Sequence, residues 1–242
     1  MSGLSVDCVV FGFTGTELKV LLLKLKTSGK YALPGGFIPK DEALDTVAKN
    51  LLRSRTGLED LFLCQFKIFG ELGRNVNNYT ELDTMVYQNV MTSELRGFFN
   101  QRFVSVGYYA LVKINKVVIS YDQYFDDYQW MSVENIPQLF FDHNAIISDA
   151  LAYLRKSLIY QPIGSNLLED EFTLVEYQTL YEAILGRKLD ARNFRRKMNA
   201  YGFLIDTGKK RKGGQHRSPR LYRIDKDKYE EANRVEFENL SW

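Results

Sequence analysis

The residues with the clearest chemical character form a cluster of cations near the C-terminal end of the sequence. The segment 191–197 reads Ala-Arg-Asn-Phe-Arg-Arg-Lys and falls in a predicted helix. At about 100° per residue, Arg192, Arg195 and Arg196 lie close together, away from the apolar Phe194 and Met198. Arginine can bind guanine through two hydrogen bonds and asparagine can bind adenine, so this face suits the DNA major groove.

A second set of cations lies in a glycine-containing loop, residues 208–219, between two predicted strands at 203–207 and 220–224. A flexible basic loop can lie on phosphates or enter a minor groove. We therefore predict that helix and loop bind double-stranded DNA together. The predicted DNA-binding residues are Arg192, Asn193, Arg195, Arg196, Lys197, Lys209, Lys210, Arg211, Lys212, His216 and Arg217.

The charge distribution supports a polyanionic partner, although the net charge of the 242 residues is only +2. Residues 187–223 contain 13 Lys/Arg and 2 Asp/Glu, a local net charge of +11. Residues 1–186 have a net charge of −6 and residues 224–242 have −3. A local positive field of this size favours a polyanion. RNA, an acidic protein, or simply a solvated basic surface are the alternatives.

The elements that must position these cations follow from local signals. Thr173 and Glu176 have the spacing of a capping box at the start of one helix, and Gly186 can end it. Asp190 can cap a second helix over 191–201, which Gly202 ends. Two helices followed by a hairpin predict a winged helix-turn-helix domain over 171–228, with an acidic tail at 229–242.

The first 158 residues predict a separate α+β domain. Strand-like segments occur at 4–25, 61–72, 103–114 and 128–133, with helical periodicity at 41–55 and 144–158. Residues 73–102 are less regular. Proline, glycine and small polar residues at 161–166 indicate a linker, placed at 159–170.

Composition excludes several other classes of protein. The sequence is 45% hydrophobic, which is ordinary for a domain with a buried core. No apolar run approaches the roughly 20 residues that a membrane helix needs, and Met1–Asp7 lacks the features of a secretory signal. The two cysteines, Cys8 and Cys64, fit neither a disulfide framework nor a zinc site. We therefore expect a cytoplasmic protein with no membrane partner.

The stretch from Gly35 to Leu58 resembles the Nudix box, G-x5-E-x7-R-E-U-x-E-E-x-G-U, in which U is aliphatic. Gly36, Glu42 and Gly57 keep their places in the pattern. The reactive positions differ: Asn50 replaces the arginine, Leu51 the next glutamate, and Ser54 and Arg55 the paired glutamates. In Nudix enzymes these helical glutamates hold magnesium, which Leu51 cannot do and which the charge of Arg55 opposes.

The resemblance therefore implies a Nudix-like α/β/α sandwich with no catalytic residue, no metal and no cofactor. An active Nudix hydrolase of a nucleoside diphosphate sugar such as ADP-ribose, with an accessory basic domain, is the alternative. That alternative would need replacement ligands such as Glu59, Asp60 or Glu71. A third hypothesis is a protein-interaction module that neither binds DNA nor hydrolyses a nucleotide.

The C-terminal part, including Leu189-Asp190-Ala191-Arg192-Asn193-Phe194, resembles the DNA-binding half of the Nudix-related transcriptional regulators. Phe141-Asp142-His143 matches a further segment of that family, and residues 75–100 look like an insertion. The resemblance implies a homodimer that binds an operator and senses a small molecule. Effectors in the family are ADP-ribose-like nucleotides or pentose sugars such as arabinose. Because the metal ligands are lost, we expect a sugar and control of pentose utilisation genes.

The effector site is expected between the strand around Gly36, the box helix and the facing strands. Asp142 is a further polar candidate, whereas His143 is expected to make a structural hydrogen bond. The predicted effector-binding residues are Lys24, Gly35, Gly36, Phe37, Glu42, Glu71, Arg74 and Arg102.

Overall fold

A computed structural model describes residues 3–59, 62–74, 78–99, 101–160, 163–211 and 218–231. The chain divides into two compact units. The first contains the residues up to Gly12 together with Lys19–Leu151, and the second contains Phe13–Leu18 together with the chain from Ala152 onward. In the described ranges, no helix is long and apolar enough to cross a membrane.

The N-terminal unit is built on one mixed sheet. Its strands are β1 (Leu4–Phe13), β2 (Leu18–Leu25), β3 (Tyr31–Ala32), β4 (Gly35–Phe37), β5 (Phe62–Phe69), β6 (Val104–Val112) and β7 (Phe125–Ser132). The order is β3-β2-β1-β6-β5, with β4 paired to β1 and β7 to β2. Strands β1 and β6 run parallel, which places Asp7 beside Gly107. The two strands are almost wholly buried, as expected for parallel strands covered on both faces.

The helices of this unit are α1 (Leu44–Thr56), α2 (Tyr79–Tyr87) and α3 (Ser93–Phe98), followed by α4 (His143–Tyr160), whose residues from Ala152 onward belong to the second unit. Helix α1 ends as its sequence predicts. Gly57 adopts the left-handed conformation, with φ of 68°, and its N–H donates to the Arg53 carbonyl. The helix buries Val47, Ala48 and Leu52 against the core of the sheet. The Nudix-like fold expected from the sequence is confirmed.

The segment 73–102, expected to be irregular, contains helices α2 and α3. Leu82 and Met85 lie three residues apart on one face of α2 and are buried. They pack with Leu25, Ala32 and Phe140 in a separate hydrophobic cluster. The segment is therefore a packed part of the domain, and helical spacing was the signal that could have shown it.

The second unit contains helices α5 (Leu174–Leu185) and α6 (Ala191–Ala200) and strands β8 (Leu204–Lys210) and β9 (Arg220–Ile224). The capping box is present: Thr173 Oγ1 accepts from the Glu176 N–H, and Glu176 accepts from the Thr173 N–H. Asp190 accepts from the Asn193 N–H at 2.8 Å and caps α6. Strands β8 and β9 form an antiparallel hairpin. The winged helix-turn-helix layout is confirmed.

Parts of the segments expected to be a linker (159–170) and a tail (229–242) are packed within the second unit. Ile163, Leu167 and Leu168 are buried around a short 3-10 helix, Ser165–Leu167. Residues 226–231 are helical, and the Tyr229 ring meets that of Phe203 at 5.4 Å between centroids. The remainder of the tail, 232–242, lies outside the described residues.

Candidate functional site

A cavity of about 430 Å³ opens in the N-terminal unit, bounded by β1, β4, α1, the α2–α3 segment and the residues around 122–125 and 140–143. Its size lies within the roughly 300–1,000 Å³ of small-molecule sites. The wall is largely apolar and aromatic, with contributions from Phe37, Phe99, Phe103 and Phe125. Phe37 and Phe103 meet edge to face at 5.6 Å.

Four of the eight predicted effector-binding residues line this cavity, namely Gly35, Gly36, Phe37 and Arg74. Gly35 is required by a close approach of backbone to side chain. A Cβ there would lie 2.5 Å from the Asp7 Oδ1 and 3.0 Å from the Val6 carbonyl oxygen.

The other four, Lys24, Glu42, Glu71 and Arg102, do not belong to the described lining of the cavity. Lys24 precedes Leu25, which does line the cavity, and is half-buried. Glu42 and Glu71 are exposed, and Arg102 is exposed and donates to the Gly70 carbonyl at 3.3 Å.

Arg74 is the centre of a buried polar cluster on the cavity wall. Its side chain is only 4% exposed. Nε and Nη2 donate to the two oxygens of Asp142 at 3.0 and 2.8 Å, and Nη2 also lies 3.4 Å from the Asp7 Oδ2. The guanidinium carbon lies 5.0 Å from the centre of the Phe103 ring. Asp142, a further candidate from the sequence, thus binds Arg74.

Asp7 and His143 complete this cluster. The Leu33 N–H donates to His143 Nδ1 at 3.0 Å, so the proton of a neutral ring lies on Nε2, which is 3.5 Å from the Asp7 Oδ1. Ser105 Oγ donates to the other Asp7 oxygen. Burial raises the pKa of Asp7, but the hydrogen bonds from His143 and Ser105 and the charge of Arg74 outweigh burial and lower it. The cavity therefore has an ionised carboxylate in its wall.

A second ion pair lines the cavity, between Arg55 of α1 and Asp122. The two side chains are 15% and 27% exposed. The Arg55 guanidinium carbon lies 5.6 Å from the centre of the Phe125 ring. Asp122 Oδ1 accepts from the N–H groups of Tyr124 and Phe125 at 2.8 and 3.1 Å, which holds the turn before β7.

The residues at the Nudix metal positions do not fit a metal ion. Leu51 contributes a hydrocarbon side chain to the cavity, Ser54 is exposed and donates to the Leu51 carbonyl, and Arg55 is a cation. Within the described residues, no three His, Cys, Asp or Glu side chains lie together as a metal site would require.

Helix α6 presents its polar side chains to solvent. Phe194 and Met198 are buried, and the Phe194 ring packs against those of Tyr177 and Tyr181 at 5.8 and 5.3 Å. This packing fixes which face of the helix points outward. The five predicted DNA-binding residues of α6, all exposed, are Arg192, Asn193, Arg195, Arg196 and Lys197.

The hairpin cations have more varied surroundings. Lys210 is exposed and lines a groove of about 470 Å³ together with Arg195 and Arg220. Lys209 instead pairs with Glu171 at 2.7 Å, and Arg211 donates to both oxygens of Glu176 at 2.6 Å. The predicted contacts Lys212, His216 and Arg217 lie outside the described residues.

The two units together define a class of protein, a Nudix-fold domain followed by a winged helix domain. A family model described as the NrtR DNA-binding winged helix domain matches residues 164–224. A relative from Acinetobacter baylyi, named ADPR responsive transcriptional repressor NtrR, is 27% identical over 234 residues, covering 94% of this chain and 84% of its own length. The chain is an NrtR-like Nudix-fold regulator with a C-terminal winged helix domain.

Solved structures agree with this architecture. The crystal structure of Shewanella oneidensis NrtR complexed with a 27mer DNA has a TM-score of 0.73 at 27% identity, covering 95% of this chain and 96% of that one. A MutT/nudix family protein from Enterococcus faecalis has a TM-score of 0.66 at 19% identity, covering 92% of this chain and 86% of that one. The second likeness shows the fold alone.

Proposed function

We propose that this chain is a transcriptional regulator that binds an operator through α6 and is controlled by an ADP-ribose-like nucleotide bound in the N-terminal cavity. The observation that carries the proposal is the exposed face of α6. Its apolar residues are fixed in the domain core, and its five polar and basic side chains face solvent. The NrtR from Shewanella oneidensis, with the same architecture, was crystallised with DNA.

On this proposal α6 lies in the major groove and the β8–β9 hairpin lies on the adjacent backbone. Arg192, Arg195 and Arg196 can reach guanine edges or phosphates. A homodimer would place two such helices in successive major grooves of a pseudo-palindromic operator.

The comparisons do not support the expected pentose effector and favour the nucleotide alternative, because the Acinetobacter relative is named for its response to ADPR. The chemistry of the cavity agrees. A sugar has a hydroxyl on most of its carbons. Each hydroxyl that is buried without a hydrogen-bond partner makes the free energy of binding less favourable. The wall here is mostly aromatic and aliphatic, which suits a planar base. The polar side chains in the lining are fewer, namely Ser5, Asp7, Arg55, Arg74, Asp122, Tyr124 and His143.

We further propose that the Nudix unit is not a hydrolase. Leu51, Ser54 and Arg55 cannot hold the magnesium that shields a diphosphate in Nudix catalysis. The cavity therefore serves for recognition, and the ligand leaves it unchanged.

ADP-ribose should raise the melting temperature of the full chain, whereas arabinose at the same concentration should not. A ligand present at 100 times its Kd stabilises the folded state by about 2.7 kcal/mol, which is several degrees for a domain of this size. Thermal shift measures this directly. The reverse ranking of the two ligands would restore the sugar hypothesis. Chromatography of the same samples with Mg²⁺ should recover ADP-ribose intact, and release of AMP would support the hydrolase alternative.

The ion pair between Arg211 and Glu176 can be tested by substitution. If the proposed function is correct, Glu176 holds Arg211, and Arg211 in turn positions the hairpin. Glu176→Gln keeps the capping box, which glutamine can complete, and removes only the ion pair. We expect Glu176→Gln and Arg211→Gln each to weaken operator binding by about two- to fivefold, the range of half-exposed ion pairs. Neither should change the salt dependence of binding, since no phosphate contact is lost. Gel shift over a salt series measures both quantities.

Lys210→Gln is the matched control, because Lys210 is exposed one residue away. Loss of a phosphate contact there should flatten the slope of log K against log salt by about 0.9. If Arg211→Gln flattens the slope equally and Glu176→Gln strengthens binding, Arg211 contacts DNA directly, as the sequence predicts.

A further inference from the structure

The position of Arg55 in the cavity wall suggests how this chain binds a diphosphate without metal. In the Nudix pattern this helical position carries a glutamate that holds magnesium, and the metal in turn neutralises the diphosphate. Here the position carries a cation directly. Arg55 belongs to the lining of the cavity, and its guanidinium lies beside the ring of Phe125.

We propose that Arg55 is the diphosphate-binding residue of the cavity, and that Asp122 occupies its guanidinium until the nucleotide displaces it. The inference rests on the proposed function of the cavity as a nucleotide site. Arginine suits this role because its planar fork can donate two parallel hydrogen bonds to phosphate oxygens.

The other arginine of the described lining is a poorer candidate. Arg74 is 4% exposed and is already bound by two carboxylates, Asp142 and Asp7. A phosphate approaching it would meet the negative charge of both. Arg55 pairs with a single carboxylate, that of Asp122, which is 27% exposed and so has water on one side. An incoming diphosphate can therefore replace one carboxylate at Arg55 without leaving a buried charge unpaired.

Displacement of Asp122 from Arg55 would also affect hydrogen bonds that Asp122 makes with the protein backbone. The same carboxylate accepts from the Tyr124 and Phe125 N–H groups, and the Asp122 carbonyl accepts from Lys26 Nζ at 3.0 Å. Ser120 N–H donates to the Arg55 carbonyl at 3.1 Å. The segment 120–125 is therefore the part of the cavity wall whose contacts depend on whether Arg55 holds Asp122 or a ligand.

Calorimetric titration of the full chain with ADP-ribose, in EDTA and again in Mg²⁺, tests the inference through two substitutions with opposite expected effects. Arg55→Gln should weaken binding by about tenfold or more, the range for a lost charge-assisted hydrogen bond. Asp122→Asn should strengthen binding by roughly two- to fivefold, since it removes the competing charge. The asparagine oxygen can still accept from the Tyr124 and Phe125 N–H groups, so the turn is kept.

Arg53→Gln is the matched control on the same helix, because Arg53 is exposed and pairs only weakly with Glu59, and it should leave affinity unchanged. Wild-type affinity should be the same in EDTA and in Mg²⁺. Equal weakening by Arg55→Gln and Asp122→Asn would make the pair merely structural and overturn the inference, as would a requirement for Mg²⁺. Absence of ADP-ribose binding to folded wild-type chain would overturn the proposed effector itself, and the inference with it.

Discussion

Replacing both Arg195 and Arg196 with alanine is expected to abolish specific operator binding while the chain remains folded. Both side chains are exposed on α6, and the residues that hold the helix in place, Phe194 and Met198, are untouched. A good arginine–base contact contributes about 1–3 kcal/mol of discrimination, so losing two removes about 2–6 kcal/mol. Alanine also has a higher helix propensity than arginine, so α6 itself should persist.

The measurement is a gel shift on a duplex selected from a random library by the wild-type chain. The control is Lys49→Ala combined with Lys116→Ala, which removes the same charge from exposed positions of the N-terminal unit. If loss of charge alone weakens binding, the control and the α6 variant will weaken it equally. In that case α6 is not the recognition helix. Circular dichroism of both variants checks that the helices remain.

Most helix ends of the C-terminal unit could be predicted because their signals are local. Thr173 and Glu176 are three residues apart, and the structure shows both hydrogen bonds of the capping box. Asp190 and Gly186 likewise act within one turn of their own helices. Which face of α6 is exposed follows from the spacing of Phe194 and Met198. The ion pair of Arg211 with Glu176 joins residues 35 apart, and charge alone assigned Arg211 to DNA.

The cavity was predicted only in outline because its polar groups come together through strand pairing. Asp7 meets Ser105 since β1 and β6 run side by side, and it meets Arg74 across 67 residues of sequence. No local pattern marks these partners. Sequence position places Glu42 at a fixed acid of the Nudix box and Glu71 on a predicted facing strand, yet both side chains are exposed. The sequence shows that Arg55 replaces a metal-binding glutamate of the Nudix pattern, whereas its ion pair with Asp122 is apparent only in the folded chain.

A large loss of stability of the N-terminal unit is expected from Arg74→Met. The substitution keeps much of the aliphatic volume but leaves Asp142 and the buried Asp7 without their shared cation. Removing one partner of a buried ion pair typically costs about 3–5 kcal/mol. Arg102→Met makes the same change at an exposed side chain and should stay within about 0.5 kcal/mol of wild type. Urea unfolding followed by Trp130 fluorescence, in a Trp242→Phe background, reports on β7 of this unit.

The pH dependence of urea unfolding shows which carboxylate accounts for the stability that Arg74→Met loses. Because the folded protein lowers the pKa of Asp7 below its ordinary value of 3.8, ionised Asp7 stabilises the fold above that pH. This stability is lost as the pH falls through the folded-state pKa. Arg74→Met removes one of the groups that lower the pKa, so the loss of stability on acidification should shrink. Adding Asp7→Asn to Arg74→Met should recover part of the stability, because the buried group is then neutral. If the double variant were less stable than Arg74→Met alone, Asp142 would be the partner that matters and Asp7 would not depend on Arg74.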